Sequence, residues 1–118
     1  MKVIQASDLR TINLWLDKRG HEQVTKADLP PQMYCVPGVA YFGVRGAAGM
    51  LFLEALVTNP YCSAKLRHAA LDSLYKVILS LPYQKFIGLS VETDAIERAK
   101  RHGFRVSQQV PLIYSKEH

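Results

Sequence analysis

Residues 50–81 read MLFLEALVTNPYCSAKLRHAALDSLYKVILSL, and they contain two different hydrophobic patterns. The run from Met50 to Val57 is apolar except for Glu54, and it has the length of a buried strand. Thr58-Asn59-Pro60 ends this run, because proline has no N–H to donate and its φ is restricted. After Ser63, which can cap a helix, apolar residues recur at helical spacing as far as Pro82: Leu66, Ala70, Leu74, Val77, Ile78 and Leu81. The stretch therefore predicts a buried strand, a tight turn and a long amphipathic helix.

The N-terminus of this predicted helix follows the carboxyl end of the strand, where unpaired N–H groups and the helix dipole favour an anion. Lys65, Arg67 and His68 occupy its first turns. Potentially cationic groups at this end oppose the dipole, and a bound phosphate would remove the conflict. The alternative is a solvated basic turn in which Asp72 and other side chains compensate. The sequence leaves both interpretations open.

Composition predicts one cytoplasmic domain that spans residues 1–118, with 48% hydrophobic residues. No stretch approaches the roughly 20 apolar residues of a membrane-spanning helix, and a signal peptide is not expected. Cys35 and Cys62 indicate no disulfide framework, and the histidines lack metal-ligand spacing, so we expect no metal. The net charge of +5 indicates either an anionic partner or a merely basic surface. Nucleic acid is disfavoured, because there is no long Lys/Arg block and no interleaved aromatic pattern.

The N-terminal part of the chain predicts a strand and a helix. Lys2 to Ala6 has the pattern of a short strand. Ser7 can cap a helix that continues to about Lys18, with Trp15 in the core and Gly20 just past its end. Thr25 can cap one further helical turn, with Asp28 as its capping-box partner, and a loop that passes beside a pocket is the alternative for this segment.

The remaining segments predict strands on either side of the central stretch. Residues 32–46 form two antiparallel strands joined at Pro37-Gly38, and residues 45–49 form a hairpin loop before the central strand. Lys85 to Val91 predicts a strand that pairs in parallel with the central strand. The two strands are expected to separate at their carboxyl ends, near Asn59 and Glu92. A helix then begins at Thr93 or Asp94, with Ala95, Ile96 and Ala99 inward and Arg98, Lys100 and Arg101 outward. Gly103 ends it, and a last strand runs from Phe104 to Tyr114 with Pro111 at an edge or bulge.

The predicted fold class is therefore mixed α/β, with the element order β-α-β-β-β-α-β-α-β. Antiparallel strands come first and a parallel βαβ crossover comes later, which indicates one twisted mixed sheet with helices on both faces.

Two local motifs in this order resemble the GNAT superfamily of N-acetyltransferases. Leu56-x-Thr58-x-Pro60 stands where the central strand of that family ends in Leu-x-Val-x-Pro. Residues 95–104, AIERAKRHGF, are similar to the closing helix of the family and its Gly-Phe. The resemblance covers about Met33 to Tyr114 and implies acetyl-CoA or CoA as the bound donor, with an amine on a small molecule or protein as acceptor.

The chain departs from the family pattern at two places. The family's cofactor loop, Arg/Gln-x-x-Gly-x-Gly/Ala, is replaced by Ser63-Ala64-Lys65-Leu66-Arg67-His68, which contains no glycine. Small acetyltransferase-like proteins of bacteriophages often have an eroded Asn-Pro-containing loop of this kind, which makes a phage origin an expectation. In addition, Ala99 stands where the family often has a tyrosine that protonates the leaving thiolate. Three alternatives follow: an acid comes from elsewhere, the thiolate leaves unprotonated, or no chemistry occurs.

The resemblance implies Glu54 as the catalytic general base, because it matches a position that often takes the proton of the substrate amine. A solvent-facing strand residue is the alternative for Glu54. The cofactor-binding residues that the resemblance implies are Leu56, Val57, Thr58, Ser63, Ala64, Lys65, Leu66, Arg67 and His68. A second hypothesis is a binding module that keeps this fold, lacks the chemistry and docks on a partner protein. A homodimer is also compatible with the sequence.

Overall fold

The computed structural model describes residues 2–88 and 93–105 of the chain. Its elements are, in order, α1 (Ala6–Lys18), a 3-10 helix (Lys26–Asp28), β1 (Gln32–Val36), β2 (Ala40–Ala47), β3 (Met50–Thr58), α2 (Ala64–Leu79), β4 (Lys85–Gly88) and α3 (Thr93–Arg101).

The four described strands form one mixed sheet in the order β1-β2-β3-β4. β1 and β3 each pair with β2 in antiparallel fashion, whereas β3 and β4 are parallel. The prediction that residues 50–58 form an interior strand beside a parallel partner is confirmed. The parallel ladder runs from Met50↔Lys85 to Leu53↔Gly88. The predicted separation of the two strands near Glu92 lies outside the described residues.

Two tight turns connect the antiparallel strands. Gly38 has a φ of +74°, which confirms the predicted turn at Pro37-Gly38. The second turn is shorter than the loop predicted over residues 45–49, because Arg45 to Ala47 pair with β3. Only Ala48 and Gly49 turn, with φ values of +52° and +79°. Two residues with positive φ match the twist of a two-residue hairpin, so a longer loop is not needed.

Helix α1 covers one face of the sheet. Its inward residues pack in a cluster that contains Ile4, Ile12, Trp15, Met33 and Tyr41, which confirms Trp15 as a core residue. The buried carboxylate of Asp8 accepts a hydrogen bond from the hydroxyl of Tyr41 at 2.6 Å. This bond attaches the first turn of α1 to strand β2.

The predicted strand at Lys2 to Ala6 is wrong. Only a single bridge joins Lys2 to Met33, and the helix already begins at Ala6. The reason is that Asp8 accepts a hydrogen bond from the main-chain N–H of Gln5 at 2.9 Å. Gln5 is therefore the N-cap residue, not Ser7. The predicted capping box between Thr25 and Asp28 is confirmed, because the Asp28 carboxylate accepts hydrogen bonds from the N–H and hydroxyl of Thr25.

Helix α2 covers the opposite face, so the prediction of helices on both faces is confirmed. Its buried residues are Ala70, Leu71, Leu74, Tyr75 and Ile78. Leu66 and Val77, predicted to face inward, are about half exposed at 47% and 48%. The helix contains more apolar positions than its buried face can hold. The rotation of the helix that packs Leu71 and Tyr75 against the sheet turns Leu66 and Val77 toward solvent.

Helix α3 packs on α2 through its C-terminal end. The imidazole Nε2 of His102 lies 2.9 Å from Asp72 Oδ1, and the ring stacks on Tyr75 at 4.5 Å. Arg98, predicted to face outward, is half-buried like Ala95, Ile96 and Ala99. Gly103 ends the helix with a φ of +93°. Phe104 and Arg105 are not in a strand, and the rest of the predicted last strand lies outside the described residues.

Candidate functional site

Strand β3 contains a β-bulge at Glu54. Gly43 pairs with Ala55 and the next residue, Val44, pairs with Leu53, so Glu54 has no partner in β2. A bulge leaves the extra residue outside the ladder and changes the direction of its side chain, and bulges are over-represented next to active sites. The described pairing with β4 also ends at Leu53. The main chain after Leu53 therefore has no β4 partner among the described residues.

Glu54 faces a small cavity and pairs with one cation. Its Oε1 accepts a hydrogen bond from Arg45 Nε at 2.8 Å, with both side chains partly exposed. The cavity has a volume of about 170 Å³ and is lined by Phe52, Leu53, Glu54 and Ile87. The structure thus places Glu54 at the wall of this cavity, next to the last described β3–β4 pair. The general-base role itself remains a prediction.

A larger groove on the outer side of α1 contains none of the predicted site residues. Its volume is about 350 Å³, and its lining residues are Leu9, Arg10, Asn13, Leu14, Asp17 and Gln23. Both Asn13 amide atoms are already bonded to the main chain of Val24. We therefore place the candidate site at the bulge, where the ladder is interrupted.

The turn between β3 and α2 is built by side-chain hydrogen bonds. The Asn59 amide donates to the Gly38 carbonyl at 2.9 Å, and its oxygen accepts from the Tyr61 N–H at 2.8 Å. The Ser63 hydroxyl accepts from the Leu66 N–H at 3.2 Å, which confirms Ser63 as the N-cap of α2. These bonds fix where the helix begins without any glycine.

The cations of this turn have different environments. Lys65 and His68 are exposed, whereas Arg67 is half-buried and donates a hydrogen bond to the Cys62 carbonyl. The first turn of α2 contains no acidic residue. The Asp72 carboxylate is bonded to His102, so it does not compensate the positive charges of this turn, as the solvated-turn alternative had suggested. Lys65 and His68 therefore remain available to an anion in the described part of the chain.

The three residues at the end of β3 have separate contacts. Leu56 is 36% exposed, and Val57 packs against the hydrophobic cluster under α1. The carbonyl and hydroxyl oxygens of Thr58 both accept hydrogen bonds from Arg19. The Arg19 Nη2 to Thr58 Oγ1 distance is 2.8 Å. Lys18 Nζ lies 5.6 Å from the centre of the Tyr61 ring. Sequence reasoning missed Arg19, because nothing local links the end of α1 to a residue 39 positions later.

Neither a metal site nor a membrane span is found in the described residues. No group of three or more His, Cys, Asp or Glu side chains could hold a metal ion there. No described helix has both the length and the apolar character needed to cross a membrane. Cys35 and Cys62 are free thiols.

Comparison with known proteins gave structural neighbours but no sequence relatives. No protein-family model and no curated protein matches the chain. The ribosomal-protein-S18-alanine N-acetyltransferase from Escherichia coli superposes with a TM-score of 0.66 at 12% identity, over 91% of this chain and 77% of that one. An acetyltransferase from Trypanosoma brucei superposes with a TM-score of 0.57 at 18% identity, over 97% of each chain. Both neighbours are GNAT acetyltransferases. This chain has the GNAT fold.

Within the GNAT fold, the two departures seen in the sequence lie in the first turns of α2 and near the C-terminal end of α3. Leu66 and His68, at the expected glycine positions, are both exposed, so their side chains do not fill the turn. The carbonyl of Ala99 accepts hydrogen bonds from the N–H groups of His102 and Phe104, and thus closes the end of α3. The methyl side chain of Ala99 provides no phenol.

Proposed function

We propose that this protein transfers an acyl group from a coenzyme A thioester to an amine. The observation that carries the proposal is the β-bulge, which removes Glu54 from the ladder beside a cavity on a fold shared with N-acetyltransferases. A carboxylate in this place can accept the proton that the amine must lose. Acetyl-CoA is the donor that the fold implies.

The turn before α2 is compatible with the phosphates of this donor. The N–H groups of Ala64 and Lys65 lie at the start of the helix and have no acceptor among the described residues. Lys65 and His68 place cationic or polar side chains beside them. Together these groups form an electropositive helix end of the kind that binds phosphate. Ser63 and Arg67 would hold the turn rather than the ligand, since each is already bonded within it.

The proposed reaction needs two proton transfers from the nitrogen and one displacement. Glu54 takes the first proton from the acceptor ammonium, and the free amine nitrogen then attacks the thioester carbonyl carbon. The C–N bond forms, the C–S bond breaks, and the departing thiolate takes the second proton from the nitrogen, so the products are the neutral amide and the thiol of coenzyme A. Main-chain N–H groups of β3 after the bulge would stabilise the negative charge that develops on the carbonyl oxygen.

The test of this proposal is the variant Glu54→Gln. The amide keeps the shape and can still accept a hydrogen bond from Arg45, but it cannot take a proton. We expect acetyl transfer at neutral pH to fall by about 10²- to 10⁴-fold. We also expect CoA to stabilise wild type and variant equally, by about 2.7 kcal/mol at 100 times its dissociation constant. Activity is measured by thiol release, and stabilisation by thermal unfolding.

The matched control is Glu22→Gln, which removes a carboxylate from the exposed loop after α1. It should leave transfer unchanged. Robust transfer by Glu54→Gln at neutral pH would exclude Glu54 as the base.

A second candidate is a binding module without chemistry that docks on another protein. It is favoured by one observation, namely that the Ser63 hydroxyl already satisfies the Leu66 N–H in a turn without glycine. In that case, CoA at millimolar concentration would give no thermal shift. Wild type would also fail to acylate any member of a broad amine and protein panel.

A further inference from the structure

Four side chains lie together around the bulge. Arg45 on β2 is directly opposite Phe52 on β3, and Phe52 is directly opposite Ile87 on β4. Directly opposed residues point to the same face of a sheet, so these three form a row across it. Glu54 meets this row through its 2.8 Å bond to Arg45. Glu54, Phe52 and Ile87 therefore border the cavity, and Arg45 is adjacent to it through its bond to Glu54.

Arg45 uses only part of its hydrogen-bonding capacity. Its Nε donates to Glu54, and its two Nη groups have no acceptor among the described residues. The side chain is 49% exposed, so these groups can be reached from solvent. A guanidinium has a planar fork of donors that matches a carboxylate. Arg45 can thus hold Glu54 with one edge and bind a second carboxylate with the other.

Glu54 has the complementary spare capacity. Its Oε1 is bonded to Arg45, and a carboxylate can accept further hydrogen bonds on its other oxygen. An ammonium bonded to this oxygen and a carboxylate bonded to the free edge of Arg45 would lie on two side chains that are themselves joined by a hydrogen bond. One small ligand that carries both groups can therefore contact both side chains.

The cavity limits the size of what can bind. Its volume of about 170 Å³ is smaller than the roughly 300–1,000 Å³ of pockets that enclose drug-sized ligands. Apart from Glu54, its lining residues are the apolar Phe52, Leu53 and Ile87. A small aliphatic side chain would bury its surface against them.

We infer that the cavity, together with the adjacent Arg45, binds a zwitterion, namely a small aliphatic α-amino acid, with its ammonium on Glu54 and its carboxylate on Arg45. The claim that this amino acid is the acyl acceptor rests on the proposed function. The claim that the amino acid binds here does not depend on catalysis. Arg45 is then a specificity-determining residue, because it recognises a group that does not react.

The first experiment measures binding of three matched probes by calorimetry. Leucine carries both charges, leucinamide keeps the ammonium but lacks the carboxylate, and 4-methylpentanoate keeps the carboxylate but lacks the ammonium. Wild type should bind leucine about 10- to 100-fold more tightly than either analogue, because each charged hydrogen bond is lost with its group. Equal affinity for leucine and leucinamide would overturn the inference and indicate a peptide amine instead.

The second experiment assigns the carboxylate to Arg45. Arg45→Gln should remove the advantage of leucine over leucinamide, while the affinity for leucinamide changes by less than about threefold. Arg45→Lys retains the charge without the fork and should retain an intermediate preference. Arg10→Gln, an exposed arginine on α1, is the control and should change nothing. Circular dichroism establishes that each variant is folded, and an unaltered preference in a folded Arg45→Gln would refute the role of Arg45.

A transfer assay separates this inference from the proposed function. If wild type binds leucine selectively but acylates no amine, the zwitterion site is supported and the proposed function fails. If wild type acylates leucinamide as fast as leucine, and Arg45→Gln behaves in the same way, the zwitterion site is refuted and the proposed function is retained.

Discussion

At the scale of single residues, the two carboxylates Asp8 and Glu54 have contrasting environments. Glu54 is partly exposed beside a cavity and has an ionic partner. Asp8 is buried and is held by Tyr41, by the Gln5 N–H and by Lys2. A buried carboxylate whose hydrogen bonds are all satisfied supports the fold, whereas one that borders open space is free to exchange protons with a ligand.

The hydrogen bond between Tyr41 and Asp8 leads to a prediction about stability. Burial alone would raise the pKa of the Asp8 carboxyl, but the hydrogen bonds from Tyr41 and Gln5, together with the Lys2 ammonium, hold this pKa below its usual value. Tyr41→Phe removes one of these bonds and leaves a buried acceptor unsatisfied. We expect the free energy of unfolding at pH 7 to fall by about 1–3 kcal/mol, as measured in urea.

The pH dependence of this effect follows from the depressed pKa of Asp8. Its contribution is fully present above the unfolded-state pKa of about 3.9 and is lost as the pH falls through the lower folded-state value. The difference between Tyr41→Phe and wild type should therefore shrink in that acidic range. Tyr61→Phe, at a ring that is 66% exposed, is the control and should stay within about 0.5 kcal/mol of wild type. A pH-independent difference would mean that lost packing, not the bond to Asp8, causes the effect.

At the scale of secondary-structure elements, the β3–α2 connection determines where the candidate phosphate-binding turn lies. The bulge at Glu54 and the cap at Ser63 are close in sequence and have different causes. The bulge comes from the pairing of two strands, whereas the cap is a local bond between a hydroxyl and an N–H three residues later. The turn can therefore keep its shape even though its sequence contains no glycine.

We expect Ser63→Ala to weaken the start of α2. The Leu66 N–H loses its acceptor, so the free energy of unfolding should fall by about 1 kcal/mol, within the usual range of 0.5–2 kcal/mol for such caps. Amide hydrogen exchange should also accelerate in the first turn of α2. The control is Ser73→Ala at an exposed position within the same helix, where alanine is the better helix former. If both variants unfold alike, Ser63 does not cap α2 in solution.

At the scale of the whole molecule, the sheet separates two hydrophobic clusters. Ile12 belongs to the cluster under α1, and Ile78 belongs to the cluster under α2. Both side chains are fully buried. The two clusters have no residue in common, so a substitution in one cluster should affect packing in the other only weakly.

This separation predicts additive destabilisation. Ile12→Val and Ile78→Val should each lower the free energy of unfolding by about 0.5–1.5 kcal/mol, because each deletes one buried methylene group. In the double variant, the two losses should add to within about 0.5 kcal/mol in urea unfolding. The control pair is Leu74→Val with Ile78→Val, whose residues lie in one cluster and on one face of the same helix. A large coupling between Ile12 and Ile78 would show that the two clusters behave as one core.

The sequence by itself determined the features that depend on neighbours a few residues apart. Periodicity located α1, α2 and α3, and the short-range bonds of Thr25 with Asp28 and of Ser63 with Leu66 were predictable from residue type. The order of strands and the parallel pairing of β3 with β4 were also predictable, because a helix must cross between parallel neighbours. The main local error was at the N-terminus, where the competing cap formed by Asp8 replaced the predicted strand.

Only the tertiary structure decided the geometry of the candidate site. The bulge at Glu54 and its contact with Arg45 depend on how β2 pairs with β3, and the bond between Arg19 and Thr58 joins residues 39 positions apart. The same is true of the choice of Leu71 and Tyr75 over Leu66 and Val77 for the buried face of α2. The physical reason is that strand register and helix rotation minimise the free energy of both packed surfaces together. Local periodicity constrains each surface alone, so it predicts the elements but not how their side chains meet.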